Sequence, residues 1–336
     1  MRSCRALVAT PVREFVVEKV TLAAWPTPME AAPRLAAEIG LAAGDLWIKR
    51  DDLTGLGGGG NKVRKLEWLV ADALQCGADT LVTTGGPQSN HARLTAAAGA
   101  RAGLNVVLVM PGSGRPDRPA GNLLLDAALA ARVVWAGDAA PAELAGQAEK
   151  TCAELRHAGA VPYLVPFGGS GALGARGYRE AGEEILAQRP DVRHVVTALG
   201  SGGTMAGLVA ALGADRVLGV DVGALPDPAA VAAAFASDLT GSEVTAAHLR
   251  VRRDQVGQAY SVLHEPVLEA ITTVARTEGV ILDPVYTGRA AAGLIAAVRD
   301  GSIRPGQRTV LLHTGGLPGL FGHTEAAHRI GQTLRP

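Results

Sequence analysis

The chain has 336 residues, 48% of them hydrophobic and 19% charged, enough for two domains with substantial cores and unlike a disordered protein. Lys plus Arg and Asp plus Glu each total 32, so the formal net charge is zero, and no long run of one sign is present to track nucleic acid or an anionic membrane. Three cysteines, Cys4, Cys76 and Cys152, stand at wide spacing, which fits neither a disulfide framework nor a Cys-x-x-Cys metal site and points to a reducing compartment.

At the N-terminus, Pro11, Arg13 and Glu14 interrupt the apolar run that a signal peptide requires, and no later stretch reaches about 18 apolar residues, so a cytoplasmic protein is expected. The first segment that carries chemistry is Gly57-Gly-Gly-Gly-Asn-Lys-Val-Arg-Lys-Leu-Glu67, where four glycines precede an Asn-Lys pair that opens a helix. Glycine lets a backbone approach a ligand closely. A P-loop needs Gly-Lys-Ser/Thr, and Gly60-Asn61-Lys62-Val63 lacks both that junction and the magnesium-binding hydroxyl, which argues against an NTPase. Taken alone, Lys62 reads either as a solvated residue at a helix start or as a functional amine.

From about Asp79, short β-branched runs alternate with Ala/Leu-rich stretches of helical length, the pattern of βα units on a parallel sheet. Thr80 to Thr84, Asn105 to Met110, Arg132 to Trp135 and Val161 to Val165 read as strands, separated by helices near 90–102, 118–130 and 141–158. A second series places strands near 193–198, 216–221 and 308–312, and helices near 174–188, 203–212, 265–277 and 288–299. Between the series, the glycine-dense segment Pro166 to Gly174 suits a domain crossing or a loop beside a ligand, and residues 224–256 read as a less regular excursion.

Four more segments put glycines and polar side chains beside apolar runs. Thr83-Thr-Gly-Gly-Pro-Gln-Ser-Asn-His-Ala-Arg93 and Ala198-Leu-Gly-Ser-Gly-Gly-Thr-Met-Ala-Gly207 join a strand to a helix, where free N–H groups hold a carboxylate or a phosphate. In the second, Met205 stands where a dinucleotide fingerprint needs its third glycine, although Asp221 mimics the ribose-binding acid, so a single-phosphate cup fits better. Leu282-Asp-Pro-Val-Tyr-Thr-Gly-Arg289 and His313-Thr-Gly-Gly-Leu-Pro-Gly319 complete the set. No nucleophile elbow occurs at Gly168-Gly-Ser170-Gly, which is followed by Ala172, and the eight histidines form no His-Glu-x-x-His zinc pattern.

Taken together, a lysine after Gly-Gly-Asn, a Gln-Ser-Asn turn, a Gly-Ser-Gly-Gly-Thr cup and Asp-Pro-Val-Tyr-Thr-Gly resemble the fold-type II pyridoxal-phosphate enzymes. Within them the chain is similar to the D-cysteine desulfhydrase and 1-aminocyclopropane-1-carboxylate deaminase family, from Ile48-Lys-Arg-Asp-Asp52 through Gly319. The resemblance implies two open twisted, mainly parallel sheets flanked by helices, as in the tryptophan synthase β-like fold. It also implies a homodimer and a division into a large domain (1–63 and 168–336) and a small one (64–167). By the same resemblance Lys62 carries pyridoxal 5'-phosphate through its amine and serves as base once the substrate displaces it. Lys65 and the Gly200, Ser201, Gly202, Gly203, Thr204 cup hold the phosphate. Asn90 bonds the phenolic oxygen, Gln88, Ser89, Asn90 and His91 line the substrate with Ser89 at its carboxylate, and Tyr260 and Tyr286 are the two active-site tyrosines.

Two positions separate the branches of this family. The deaminases resemble one another in having Glu and Leu where this chain has Thr287 and Thr314. A carboxylate facing the pyridine nitrogen keeps it protonated and strengthens the ring as an electron sink, which suits opening a cyclopropane. A threonine hydroxyl only hydrogen-bonds a neutral nitrogen, and this weaker sink still permits expulsion of a good β leaving group. The resemblance therefore favours β-elimination on D-cysteine over ring opening by a 1-aminocyclopropane-1-carboxylate deaminase. The family commonly has Gly-Val-Pro-Asn after the first tyrosine, whereas this chain reads Ser261-Val-Leu-His264, which leaves room for a sulfo-lyase or another β-substituted amino acid. A non-catalytic ligand-binding protein on the same scaffold is the reading from another class.

Overall fold

Helices with one apolar face and short β-branched strands alternate through most of the chain. The structure, a computed structural model, describes residues 18–334, so Cys4, Pro11, Arg13 and Glu14 lie outside it. In chain order the first elements are β1 (Met29–Ala31), α1 (Pro33–Ile39), β2 (Leu46–Arg50) and α2 (Lys62–Gln75). There follow β3 (Thr80–Thr84), α3 (Asn90–Ala102), β4 (Asn105–Met110), α4 (Gly121–Ala128), β5 (Arg132–Trp135), α5 (Pro141–His157) and β6 (Pro162–Leu164). Next come α6 (Ala172–Gln188), β7 (His194–Leu199), α7 (Gly203–Leu212), β8 (Val217–Asp221), α8 (Pro228–Thr240) and β9 (Arg250–Arg252). The last are α9 (Glu265–Glu278), α10 (Thr287–Arg299), β10 (Thr309–His313), α11 (Leu317–Gly322) and α12 (Thr324–Gly331).

The strands form two open sheets flanked by helices, as the sequence predicts. The larger has the order β1-β2-β10-β7-β8-β9, and only β1 runs antiparallel to its neighbour. The smaller, β5-β4-β3-β6, is wholly parallel. Both are covered on two faces, which is why their strands read as nearly continuous apolar runs. In the larger sheet Ile48, Val196, Val220 and Leu311 pack on the face that holds Leu268 and Leu294, while Val195, Val217, Val310 and Leu312 pack on the other with Tyr178 and Leu208. In the smaller, Leu81, Val106 and Leu108 face Val63 and Leu94, and Val82, Val107 and Val109 face Leu144 and Cys152. Cys152 thus acts as a small apolar core residue.

Three parts of the chain differ from the sequence reading. The excursion at 224–256 contains α8 and the edge strand β9; Asp227 Oδ1 caps α8 by accepting from Ala230 N, with Pro228 as the first helical residue. Before Asp79, β2 enters the larger sheet between β1 and β10. Its Lys49 is buried and paired, so the strand lacks an unbroken apolar pattern. The strand expected at Val161 to Val165 is confined to Pro162–Leu164. Among the described residues no helix is long and apolar enough to cross a membrane.

The parallel arrangement brings the glycine-bearing segments together. Residues 51–61 follow β2, 85–89 follow β3, 165–171 follow β6, 200–202 follow β7 and 314–316 follow β10. All leave the carboxyl ends of their strands, where open α/β sheets bind ligands.

Candidate active site

The glycine loop sets the position of Lys62. Gly59 has φ 75°, and a Cβ there would lie 2.0 Å from the Asp52 carbonyl oxygen, so only glycine lets the loop fold this tightly. Gly60 N donates to Thr54 Oγ1 at 2.8 Å and Asn61 N to the Thr314 carbonyl at 3.0 Å, which ties the loop to the end of β10. Lys62 then opens α2. Two residues on, Arg64 is buried between Asp51 (2.8 and 2.9 Å) and Glu184 (2.8 Å to each oxygen), with Trp25 stacked on the guanidinium at 4.0 Å. This pair of ion pairs fastens the start of α2 to the end of β2 and to α6.

Burial pushes the Lys62 amine down to about 8, against a smaller upward pull from a hydrogen bond with Lys65. Lys65, one turn on and fully buried, lies well below the usual lysine range through burial and then the charge of Lys62. Its Nζ donates to Ser170 Oγ at 3.0 Å. Ser170 Oγ also accepts from Gly203 N at 3.3 Å and shares a 2.8 Å hydrogen bond with Ser201 Oγ. A Cβ at Gly203 would stand 2.8 Å from Ser170 Oγ and 3.1 Å from Lys65 Nζ, so glycine opens this cradle to the lysine. Thr204 Oγ1 accepts from Asn61 Nδ2 at 3.1 Å, which joins the cup to the lysine loop. Gly200 backs onto Tyr286, whose Cε1 would lie 3.3 Å from a Cβ there.

The 83–93 segment divides its polar residues between the cleft and the scaffold. Ser89 is the N-cap of α3, with Oγ accepting from Ala92 N at 3.1 Å, which leaves its hydroxyl hydrogen available. The structure gives Gln88 another task than the expected one: its Nε2 donates to the Ala120 carbonyl and its Oε1 accepts from Asn122 N, both at 3.0 Å, so the amide anchors the start of α4. His91 is likewise buried. Thr83 Oγ1 donates to the Val165 carbonyl at 2.9 Å, so the 2.8 Å contact with His91 places the hydrogen on Nε2 and leaves Nδ1 as a buried acceptor without a protein partner. Burial, then the charges of Lys62 and Lys65, holds this imidazole well below its usual pKa.

Tyr260 and Tyr286 meet edge to face, with their hydroxyls 2.6 Å apart. Burial raises both phenols, Tyr286 more strongly, so both remain protonated at neutral pH. Arg289 braces the pair: buried on α10, it donates to the carbonyls of Val222, Ala259 and Val262 and so clamps the loop around Tyr260. In the divergent stretch, Ser261 has φ 64°, and its carbonyl accepts from His323 Nε2 at 2.8 Å. His264 turns its Nε2 to the Gln255 carbonyl at 3.0 Å, at the residue preceding α9, and so serves the loop. Asp221 Oδ1 accepts from Gly223 N, its own turn.

Thr287 and Thr314 part company. Thr287 is buried, and its Oγ1 donates to Asp283 Oδ1 at 2.7 Å and accepts from Asp283 N at 2.8 Å. The Asp283 carboxylate also accepts from the backbone N–H groups of Val285, Tyr286 and Thr287, which sets Tyr286 at the start of α10. The Thr287 hydroxyl is therefore engaged in a cap, whereas Thr314 Oγ1 makes no hydrogen bond among the described residues.

Pyridoxal phosphate presents a phosphate and an aldehyde, and the residues present fit both: the Lys65–Ser170–Ser201 cradle with Gly203 N would take the phosphate, and the buried Lys62 amine the aldehyde. Sequence reasoning missed Ser170, although the glycine-dense segment around it reads as a ligand loop. It also missed Arg64, Arg93, Asn122 and Arg289, which act from behind the site.

The family model described as pyridoxal-phosphate dependent enzyme matches residues 20–315. The chain is 38% identical over 320 residues to a Pyrococcus abyssi protein named provisionally as a 1-aminocyclopropane-1-carboxylate deaminase, covering 91% of this chain and 94% of that one. It is 40% identical over 325 residues to the D-cysteine desulfhydrase of Klebsiella pneumoniae subsp. pneumoniae, covering 91% and 96%. Among solved structures, a homologue of ACC deaminase matches with a TM-score of 0.83 at 36% identity, covering 93% of this chain and 96% of that one. The processed form of threonine deaminase isoform 2 from Solanum lycopersicum matches with a TM-score of 0.64 at 20% identity, covering 91% and 87%, a likeness of fold alone.

Proposed function

The chain belongs to the pyridoxal-phosphate dependent enzymes, and we propose that it is a carbon–sulfur lyase that converts D-cysteine and water to pyruvate, ammonia and hydrogen sulfide. The observation that carries this reading is the pair of hydroxyl side chains at 287 and 314, one engaged in a cap and one with no hydrogen-bond partner among the described residues, at the positions where the resemblance implies Glu and Leu in the deaminases.

The bound cofactor supplies an electron sink for the pair left on the substrate α-carbon. Lys65, Ser170, Ser201 and the N–H groups of 200–204 would hold its phosphate, and Asn90 would donate to its phenolic oxygen. Ser89 and the N-terminus of α3 orient the substrate carboxylate. The neutral Lys62 amine, its pKa lowered by burial to about 8, would take the α-proton. The protonated Tyr260–Tyr286 pair hands a proton to the departing sulfur. Water then completes pyruvate and ammonia. A cleft between the small and large domains, a homodimer and a cytoplasmic location belong to the same reading.

The test is pyruvate release by the cofactor-loaded protein from D-cysteine and from L-cysteine, beside 2-oxobutyrate release from 1-aminocyclopropane-1-carboxylate. Preferential turnover of D-cysteine is expected. Turnover of the cyclopropane alone assigns the deaminase activity instead. With none turned over and the cofactor bound, the Ser261–His264 stretch directs the search to another β leaving group, such as a sulfonate or thioether. A purified protein that binds no cofactor would favour a non-catalytic ligand-binding role.

A further inference from the structure

We propose that Arg93 and Asn122 are positioning residues that decide which end of the Asn90 amide faces the cofactor, and that Arg93 ties that amide to the loop carrying Lys62. The inference rests on the reading of Asn90 as a donor to the phenolic oxygen.

An asparagine amide has a donor end and an acceptor end of nearly the same shape, so its orientation is set by its partners. Asn90 Oδ1 accepts from Arg93 NH2 at 3.2 Å and from Asn122 Nδ2 at 3.0 Å. Turning the amide over would set its NH2 against both of those donors. The Asn90 nitrogen therefore faces away from them, with no protein acceptor of its own among the described residues.

The orientation of Asn122 is determined in turn. Its Oδ1 accepts from Arg93 Nε at 3.0 Å, and its Nδ2 donates to the Gln88 carbonyl at 2.9 Å. A guanidinium has only donors and a carbonyl only acceptors, so neither contact survives a flip. Both Arg93 and Asn122 are fully buried, where an unmatched polar contact is costly. Arg93 is thus the reference for the network: it orients Asn122, and the two together orient Asn90.

The same guanidinium reaches the lysine loop. Arg93 NH1 donates to the Gly57 carbonyl at 2.6 Å and to the Gly59 carbonyl at 2.9 Å. One rigid, planar group therefore spaces the phenol-binding amide from the loop that presents Lys62.

A double-mutant cycle on the cofactor-binding protein tests this. The readouts are the pyridoxal phosphate dissociation constant and the absorbance maximum of the bound cofactor, for Asn90→Ala, Asn122→Ala and the double variant. Asn90→Ala is expected to weaken binding about tenfold and to move the absorbance maximum. Asn122→Ala should move both in the same direction, and the double variant should be no worse than Asn90→Ala. Losses that multiply in the double variant, or an Asn122→Ala protein with unaltered affinity and absorbance, overturn the positioning role. An Asn90→Ala protein that is unaltered in both readouts instead removes the reading of Asn90 on which the proposal stands. Asn122→Asp keeps the volume and the acceptor for Arg93 while removing the donor to Asn90, so it should show the same loss without a cavity. Parental affinity and absorbance in that variant also overturn the proposal.

Discussion

Arg64 and Asp51 form a two-point ion pair, Nε to Oδ2 at 2.8 Å and NH2 to Oδ1 at 2.9 Å, with both side chains sealed from water. Tyr178 and Thr27 donate to the same carboxylate, whose pKa is held below the usual range by Arg64 and these hydroxyls against the opposing effect of burial. Removing Asp51 leaves Arg64 paired with Glu184 alone and the Tyr178 and Thr27 hydroxyls without their acceptor, at a cost of about 3 kcal/mol. Asp51→Ala is expected to lose that much stability in urea denaturation and to weaken cofactor binding, because α2 carries Lys62 and Lys65. A loss under about 1 kcal/mol would show that the pair does not hold α2 in place.

Lys62 should govern cofactor capture with a visible pH signature. The neutral amine attacks an aldehyde, and burial places its pKa at about 8. For the cofactor-free protein, the rate of pyridoxal phosphate uptake should rise about tenfold per pH unit below 8 and level off above it. Stopped-flow absorbance from pH 6 to about 9 measures this. Lys62→Ala should abolish both uptake through the amine and turnover, and a fully active variant refutes the assignment.

Asp126, on α4 near Arg93, is buried with no hydrogen-bond partner for either carboxylate oxygen, and burial pushes its pKa up to about 7 against the pull of Arg93. A carboxyl with a raised folded pKa binds more protons in the folded state than in the unfolded one. Stability from this group is therefore greatest below its unfolded pKa, falls from about pH 4 to about pH 7, and is flat beyond. The full loss is on the order of 4 kcal/mol. Asp126→Asn should show a Tm, relative to the parent, that climbs across this range; a constant difference would contradict the shift.

The two threonines should separate by experiment. Thr287→Val removes hydroxyl contacts with both the carboxylate and the backbone N–H of Asp283, so it should cost about 1–3 kcal/mol of stability. Thr314→Glu should shift the absorbance of the bound cofactor and slow elimination. An unshifted spectrum in Thr314→Glu would mean that this side chain does not reach the ring nitrogen.

Much of the molecule is written locally in the chain. The strands at 80–84, 105–110 and 132–135 have the same bounds in the sequence reading and in the structure; the first two are buried on both faces and read as β-branched, mostly apolar runs, and the half-buried edge strand 132–135 is a short Val-Val-Trp run. Lys62, Ser89 and the 200–204 cup stand out because glycine turns and helix starts have their own short-range chemistry. The α8 helix had its signals too, Asp-Pro at the start and Gly241 at the end, but an Ala-rich surface helix has little periodic contrast.

By itself, then, the sequence determined the α/β class, the segments that leave strand ends and the set of groups that suit pyridoxal phosphate. Tertiary structure decided which partners those groups have. It turned Gln88 and His91 to the scaffold, engaged Thr287 in a cap and brought Ser170 to Lys65 across 105 residues. It also placed Arg93, Asn122 and Arg289 behind the site. These choices depend on where buried donors find acceptors, and such partners are set by sheet order and helix packing rather than by neighbours in the chain.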